Sequence, residues 1–359
     1  MSYGWEARAD PPPADAHAEP PGFHNIRFVG DDSDLTRFLG APPALAVATR
    51  PGPIRVLALS GGGAGGAFGA GALVGLTEGS SRPVFDTVTG VSAGALIAPF
   101  AFVGSEWDAR LKEAFTGTAA SELLSLTSVR PGPSLYPREQ LANLVGRYID
   151  AALMVAVADA HDRGRRLFVA TANLDAQNTS IWDMGAIASS GRSNAQDLFI
   201  DILVASASVP GVFPPKMISV EAGGERFEEM HVDGGAITPL FVVPEALLSR
   251  KDPAWEGSGV EIYALVNTPL APTLRATPAR TVPILVRSFQ LMVLSSYRNA
   301  LRSLAQFCEI NDFNLQIGSV PTALSGSSML RFDRSAMTEM FAHGLALGRA
   351  GKLWSPYSD

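Results

Sequence analysis

The chain has 359 residues, 47% apolar and 18% charged, enough to bury one large core or two small ones. Its net charge of −7 argues against a nucleic-acid partner and gives no bulk attraction to anionic lipid. The single cysteine, Cys308, excludes an internal disulfide framework and reads as a small buried apolar residue.

Residues 1–22 are polar and proline-rich (Pro11-Pro12-Pro13, Pro20-Pro21) and read as a flexible leader, with one domain over 23–359. They lack the basic start and apolar segment of a signal peptide, which tilts the expected location toward the cytoplasm rather than secretion. No run of 18 apolar residues occurs, Arg287 interrupting the best stretch, so no membrane span is expected. A short helix is expected at 35–39. Residues 56–59 are a continuous apolar run between proline and glycine, as in a buried parallel strand. Residues 67–77 read as a Gly/Ala-rich helix, 84–89 as a second strand and 93–103 as the helix behind it. Helical periodicity marks 105–117, serine-capped, with Trp107, Leu111 and Phe115 on one face. Helices follow at 137–149 and within 151–163, then strands at 167–170 and 179–182 and a helix at 194–206. Residues 227–232 lead into Asp233-Gly234-Gly235, and 262–266 form a further strand. A long helix spans 282–309, a short strand 330–332, and Asp333 caps a last helix reaching about residue 353. Pro131-Gly132-Pro133 and 269–278 read as loops within the domain. Strands alternating with helices predict an α/β fold with helices on both faces of a sheet.

Two motifs carry chemistry. Gly90-Val91-Ser92-Ala93-Gly94 closes the second strand and opens a helix, the arrangement of a nucleophile elbow; the plain alternative makes Ser92 a helix cap. The run Gly61-Gly62-Gly63-Ala64-Gly65-Gly66 opens the preceding helix and offers backbone N–H groups to an oxyanion. Gly61, Gly63 and Gly66 also fit a dinucleotide fingerprint, but Asp86, the acid it would need, falls near the start of the second strand. Among possible bases, Asp233 sits where Gly234-Gly235 lets the chain turn sharply, although a turn aspartate bonding its own backbone looks the same. An aspartate with an ordinary pKa near 3.9 is a poor base for an alcohol, so burial must raise it. His231, two residues away, is a minor rival base. No clustered metal ligands are visible, and neither metal nor cofactor is expected.

Leu59-Ser60-Gly61-Gly62-Gly63-Ala64, Gly90-Val91-Ser92-Ala93-Gly94, Ala205-Ser206-Ala207-Ser208 to Phe213-Pro214-Pro215, and Asp233-Gly234-Gly235 together resemble the ordered signatures of patatin-like phospholipases. The resemblance covers about residues 54–240. It implies a three-layer α/β fold with a central, mostly parallel sheet, a C-terminal helical extension, and hydrolysis of lipid acyl esters through an acyl-enzyme. It makes Ser92 the nucleophile, Asp233 its dyad partner, and Gly61, Gly62 and Gly63 the oxyanion donors. Gly90, Ala93, Gly94, Ser206, Pro210 and Gly234 would shape the site. The family often carries Arg or Lys where this chain has Gly65, which weakens the expected anchoring of a phosphate headgroup. A general carboxylesterase acting on soluble short-chain esters is the alternative, with a dinucleotide-binding α/β protein behind it. The expected partner is a lipid or other acyl ester, with transient contact to a membrane surface. The helix at 282–307, with Leu285, Phe289, Met292, Val293 and Phe307 on its apolar face, is expected to cover the sheet rather than to enter a membrane.

Overall fold

In the computed structural model, which describes residues 8–13, 16–29, 52–118, 137–251, 259–272, 276–324 and 332–357, β1 (Arg27–Val29) precedes β2 (Arg55–Leu59) and helix α1 (Gly66–Glu78). Next come β3 (Thr87–Val91), α2 (Ala93–Val103), α3 (Asp108–Thr116), α4 (Arg138–Tyr148) and α5 (Ala151–Asp162). Then follow β4 (Arg166–Asn173), β5 (Asn178–Asp183), α6 (Met184–Ser189), α7 (Ala195–Ser206) and the hairpin β6 (Lys216–Ala222) and β7 (Glu225–Asp233). The chain continues through β8 (Glu261–Val266), α8 (Thr281–Asn311), β9 (Asn314–Ser319), α9 (Arg334–Arg349) and β10 (Ser355–Pro356).

The strands form one sheet in the order β1-β5-β4-β3-β2-β8-β9-β10, with the β6–β7 hairpin joined to β4. Its centre, β4-β3-β2-β8-β9, is parallel; β5 and β10 flank it antiparallel. The apolar run of β2 follows from burial on both faces. Leu57 and Leu59 enter the core beneath α1 and α2, whereas Val56 and Ala58 enter a second core shared with Tyr297, Leu301 and Leu304 of α8. The mixed α/β sheet flanked by helices is as expected.

The second strand begins later than its apolar residues suggest. Val84 is exposed, and Asp86 accepts a hydrogen bond from the Arg55 amide (2.8 Å), tying the turn below β2 before β3 starts. Strands β1, β6, β9 and β10 and the short helix α6 have no counterpart in the sequence reading. The expected strand at 330–332 and helix at 35–39 lie outside the described residues, except Phe332, which is not in a strand. Pro137 stands at the N-cap of α4 rather than inside its first turn. Residues 16–22, read as the end of a loose leader, are held: Glu19 pairs with Glu221 through both backbone bonds (3.2 and 2.8 Å), and Ala18 and Glu19 are buried. The free backbone edge of β6 supplies the reason.

Helices α1 and α9 pack almost backbone to backbone. A Cβ at Gly71 or Gly75 would overlap the Phe341 or Leu345 carbonyl, and one at Gly344 or Gly348 would overlap the Phe68 or Ala72 carbonyl. Alanine is ordinarily worth about 1 kcal/mol over glycine inside a helix. Here overpacking wins, at roughly 1–3 kcal/mol. Gly344→Ala is therefore expected to lower the urea midpoint; an unchanged or raised midpoint would show that the two helices can move apart freely.

Candidate active site

Ser92 follows the last residue of β3 and precedes α2, with φ 55° and ψ −124°, a conformation that costs a non-glycine residue about 1–3 kcal/mol. The surroundings hold it there. Its amide donates to Ser206 Oγ (3.0 Å), and Ser206 donates in turn to the Ala170 carbonyl (2.7 Å). Gly94 lets α2 start against the end of β2, because a Cβ would overlap the Leu59 carbonyl; at Gly90 it would sit 2.7 Å from the Gly94 carbonyl. Ala93 and Gly94 form the first turn of α2, whose unpaired amides put a partial positive charge beside the serine.

Asp233 reaches the same point from the opposite direction. Strand β3 pairs with β4 up to Val91↔Ala170, and the next position of β4, Thr171, pairs with Asp233 at the end of antiparallel β7. The two strands thus meet head-on along one edge of β4. Ser92 Oγ donates to Asp233 Oδ2 at 2.5 Å, and both residues are only 5% exposed. The Gly235 amide donates to Asp233 Oδ1 (2.7 Å), and the Asp233 amide donates to the Ser208 carbonyl (3.0 Å). Gly234 must be glycine because a Cβ would lie 2.5 Å from the Ala170 carbonyl. Burial raises the Asp233 carboxyl to about 6, against the lowering effect of the hydrogen bonds from Ser92 and Gly235.

The glycine run leaves β2 beside Ser92. Gly62 and Gly63 have φ 155° and 56°, and Gly63 opens a short 3-10 turn, Gly63–Gly65, whose first amides have no acceptor within the turn. The Gly61 amide points instead at the Pro239 carbonyl (3.4 Å), so it is set apart from the other two. Two residues absent from the sequence reading brace this loop. The Asn267 amide donates to Ser60 Oγ (2.9 Å) and Asn267 Nδ2 to the Ser60 carbonyl (2.8 Å), while Ser60 Oγ donates to the Gly61 carbonyl (2.7 Å). Tyr297 of α8 hydrogen-bonds the Ser60 side chain, and its phenol oxygen lies 2.9 Å from where a Gly61 Cβ would stand. Burial, with the nearby Asp233 charge, pushes the Tyr297 phenol above its ordinary range, so it stays a neutral hydroxyl. The only sequence signal for Asn267 is reciprocal: Gly62, Gly65 and Gly69 all lack the Cβ that would collide with it. Gly65 is therefore a packing requirement, and an Arg or Lys side chain has no room there.

Three other candidates fall elsewhere. His231 is fully buried with its Nδ1 on Thr171 Oγ1 (3.0 Å) and its Nε2 on Glu229 (3.2 Å), and burial lowers its pKa. Trp182 Nε1 donates to the same Thr171 oxygen (2.8 Å), and the burial that lowers the His231 pKa favours the neutral imidazole. Both ring nitrogens are thus occupied away from Ser92. Asp86 lies at the opposite end of β3 from the glycine run and cannot serve a dinucleotide ribose bound there. Pro210 is exposed in the turn after α7, and the site is lined at that point by Val209 and Phe213.

A cavity opens at Ser92 and runs under α2 between α3, α4 and α7. Leu96, Phe100, Leu141, Leu144, Val145 and Phe213 supply much of its wall, and among the described residues Tyr148 is the one polar side chain there besides Ser92. Among the described residues no group of three or more His, Cys, Asp or Glu side chains is gathered as a metal site would need.

Residues 57–244, more than half of the chain, match the family model described as Patatin-like phospholipase. Among solved structures, VipD from Legionella pneumophila is similar at 11% identity and a TM-score of 0.37, over 86% of this chain and 68% of that one. No curated protein matches the chain.

Ser206→Ala removes the acceptor of the Ser92 amide and the donor to the Ala170 carbonyl. Each buried group left unpaired costs about 1–3 kcal/mol. The variant is expected to lose stability of that order in chemical denaturation; wild-type stability would mean that the elbow needs no such prop.

Proposed function

Because the chain belongs to the patatin-like phospholipase family of lipid acyl hydrolases, we infer that it cleaves acyl esters of lipids with Ser92 as nucleophile and Asp233 as base. The observation that carries this reading is the 2.5 Å Ser92–Asp233 hydrogen bond at the mouth of an apolar cavity. Asp233 accepts the Ser92 proton as Oγ attacks the ester carbonyl, and the amides of Gly62, Gly63 and the start of α2 face the oxyanion that forms. Collapse of the tetrahedral intermediate expels the alcohol, which takes the proton back from Asp233. Water then attacks the acyl-enzyme, gives its proton to Asp233, and the departing Ser92 oxygen recovers it. A carboxyl raised to about 6 suits this work, since it is ionised at neutral pH yet more basic than a solvated aspartate.

The cavity favours a lipid acyl chain over a short soluble ester. Its wall offers an acyl chain burial and almost no hydrogen bonding. The catalytic unit extends beyond the family match, because Asn267 and Tyr297 hold the loop proposed to bind the oxyanion.

Ser92→Ala and Asp233→Asn are expected to cut turnover by about 10³–10⁴-fold or more without unfolding the chain. Full activity in Asp233→Asn would remove it as the base. In an acyl-length series, kcat/KM should climb several-fold per methylene, reflecting about 0.8 kcal/mol each, until the cavity fills. A flat series would favour the soluble carboxylesterase.

The pH dependence has a definite sign. Turnover needs the carboxylate, so kcat/KM should fall tenfold per pH unit below about 6. Stability runs the other way. The folded state holds the Asp233 proton more tightly than the unfolded chain, whose aspartate titrates near 3.8, so stability drops as pH rises from about 4 through 6. At pH 8, Asp233→Asn should be the more stable protein, by up to about 3 kcal/mol, with the gap closing below pH 4. A gap that widens in acid would contradict the raised carboxyl.

A further inference from the structure

We propose that the first half of α8 is a docking surface for an anionic phospholipid bilayer, projecting past the end of the sheet at which the active site opens. The location follows from chain geometry. Helix α8 ends at Asn311, just before β9 starts level with the beginning of β8, so in chain order it descends from beyond the C-terminal ends of the parallel strands to their N-terminal ends. Between Asn311 and Tyr297 the helix rises about 21 Å. A strand of six residues such as β9 spans about 20 Å. Tyr297 accordingly stands at the level of Ser60 and Gly61, where it makes its contacts. From Tyr297 back to Thr281 the helix continues for roughly 24 Å beyond that level.

The overshooting part carries an unusual surface. Among the described residues, four of the eight exposed large apolar side chains are Ile284, Leu285, Leu291 and Met292, with Leu285 63% and Met292 70% exposed. Ile237, in the turn just after Asp233, adds a fifth at the same end of the sheet. At about 100° per residue, Ile284, Leu291, Arg298 and Arg302 fall on one stripe and Leu285 and Met292 on another roughly 105° round the helix, the two flanking the side opposite the buried Tyr297, Leu301 and Leu304. This explains why the apolar face expected to cover the sheet is split: its second half does so, and Leu285 and Met292 face outward.

Charge selects the partner. From Thr281 to Cys308 the helix contains Arg287, Arg298 and Arg302 and no acidic residue, on a chain with 35 acids against 28 bases. Arg298 donates to the Leu270 carbonyl and Arg302 to the Asn299 side chain, neutral partners that leave both charges facing solvent. A helix lying with an apolar face and flanking arginines on its surface suits the interface of a bilayer rich in anionic headgroups. The lipid-hydrolase reading supplies the reason for meeting a bilayer, but the docking itself is measurable without turnover.

The test is co-sedimentation of full-length Ser92→Ala with vesicles of phosphatidylcholine alone or mixed with phosphatidylglycerol. Binding should be at least tenfold tighter to the anionic vesicles and weaken with added salt. Leu285→Glu/Met292→Glu should lower it at least tenfold, and Arg298→Gln/Arg302→Gln should reduce the preference for phosphatidylglycerol. With Ser92 intact, Leu285→Glu/Met292→Glu should hydrolyse a short monomeric ester within twofold of wild type while losing vesicle-lipid turnover at least tenfold. Absence of vesicle binding, or equal binding by the glutamate variant, overturns the proposal. So does a concentration-dependent dimer that the same variant abolishes, which would assign this face to self-association. Binding through this face without fatty-acid release would keep the docking surface and discard the hydrolase reading.

Discussion

Everything at the site depends on two strands that meet head-on along one edge of β4. Strand β3 occupies that edge up to Ala170 and β7 takes it over at Thr171, so Ser92 and Asp233, far apart in sequence, are brought together by backbone pairing alone. The junction is unfavourable in isolation: it demands a strained serine and a buried carboxyl, and it interrupts two ladders at once. The segment at the end of α7 offsets this from below. Ser206 satisfies the Ser92 amide and the Ala170 carbonyl, while the Ser208 carbonyl takes the Asp233 amide. The same burial that makes the junction costly raises the Asp233 carboxyl to about 6, which suits the role of base proposed for it.

Close approach is the second theme. Glycines at 62, 65 and 69 admit Asn267, those at 90, 94 and 234 let the chain turn across neighbouring carbonyls, and four more bring α1 and α9 together. The glycine loop is thus fixed by contacts from Asn267, just past the end of β8, and from α8, outside the segment that the family match covers. Packing against Asn267 also leaves no space for a cation at position 65. Recognition of a phosphate headgroup, where it occurs, must come from another part of the surface.

The parallel centre of the sheet was legible because strands buried on both faces read as continuous apolar runs, as at 56–59 and 167–170. The elbow and the aspartate turn were legible because glycine is obligatory where a backbone turns against a carbonyl. What was not legible depends on partners distant in sequence. Lys216–Ala222 mixes charged and apolar residues and becomes a strand through pairing with β7, although Gly223-Gly224, both with positive φ, marks the hairpin turn locally. Strand β9 is defined by its pairing with β8. Tyr297 looked like one more residue of a long helix, and only the fold brings its hydroxyl to Ser60. His231 looked like a neighbour of Asp233, and alternation along β7 does place the two on one side; Thr171 and Glu229 occupy its nitrogens.

The most direct test of the Ser92–Asp233 account is covalent. Folded protein treated with a fluorophosphonate, then digested and analysed by mass spectrometry, should carry the label on Ser92. The label should vanish in Ser92→Ala, form far more slowly in Asp233→Asn, and be absent when the wild-type chain is unfolded in urea before treatment. Labelling at another serine, or equal labelling of Ser92 in folded wild type and Asp233→Asn, would contradict it.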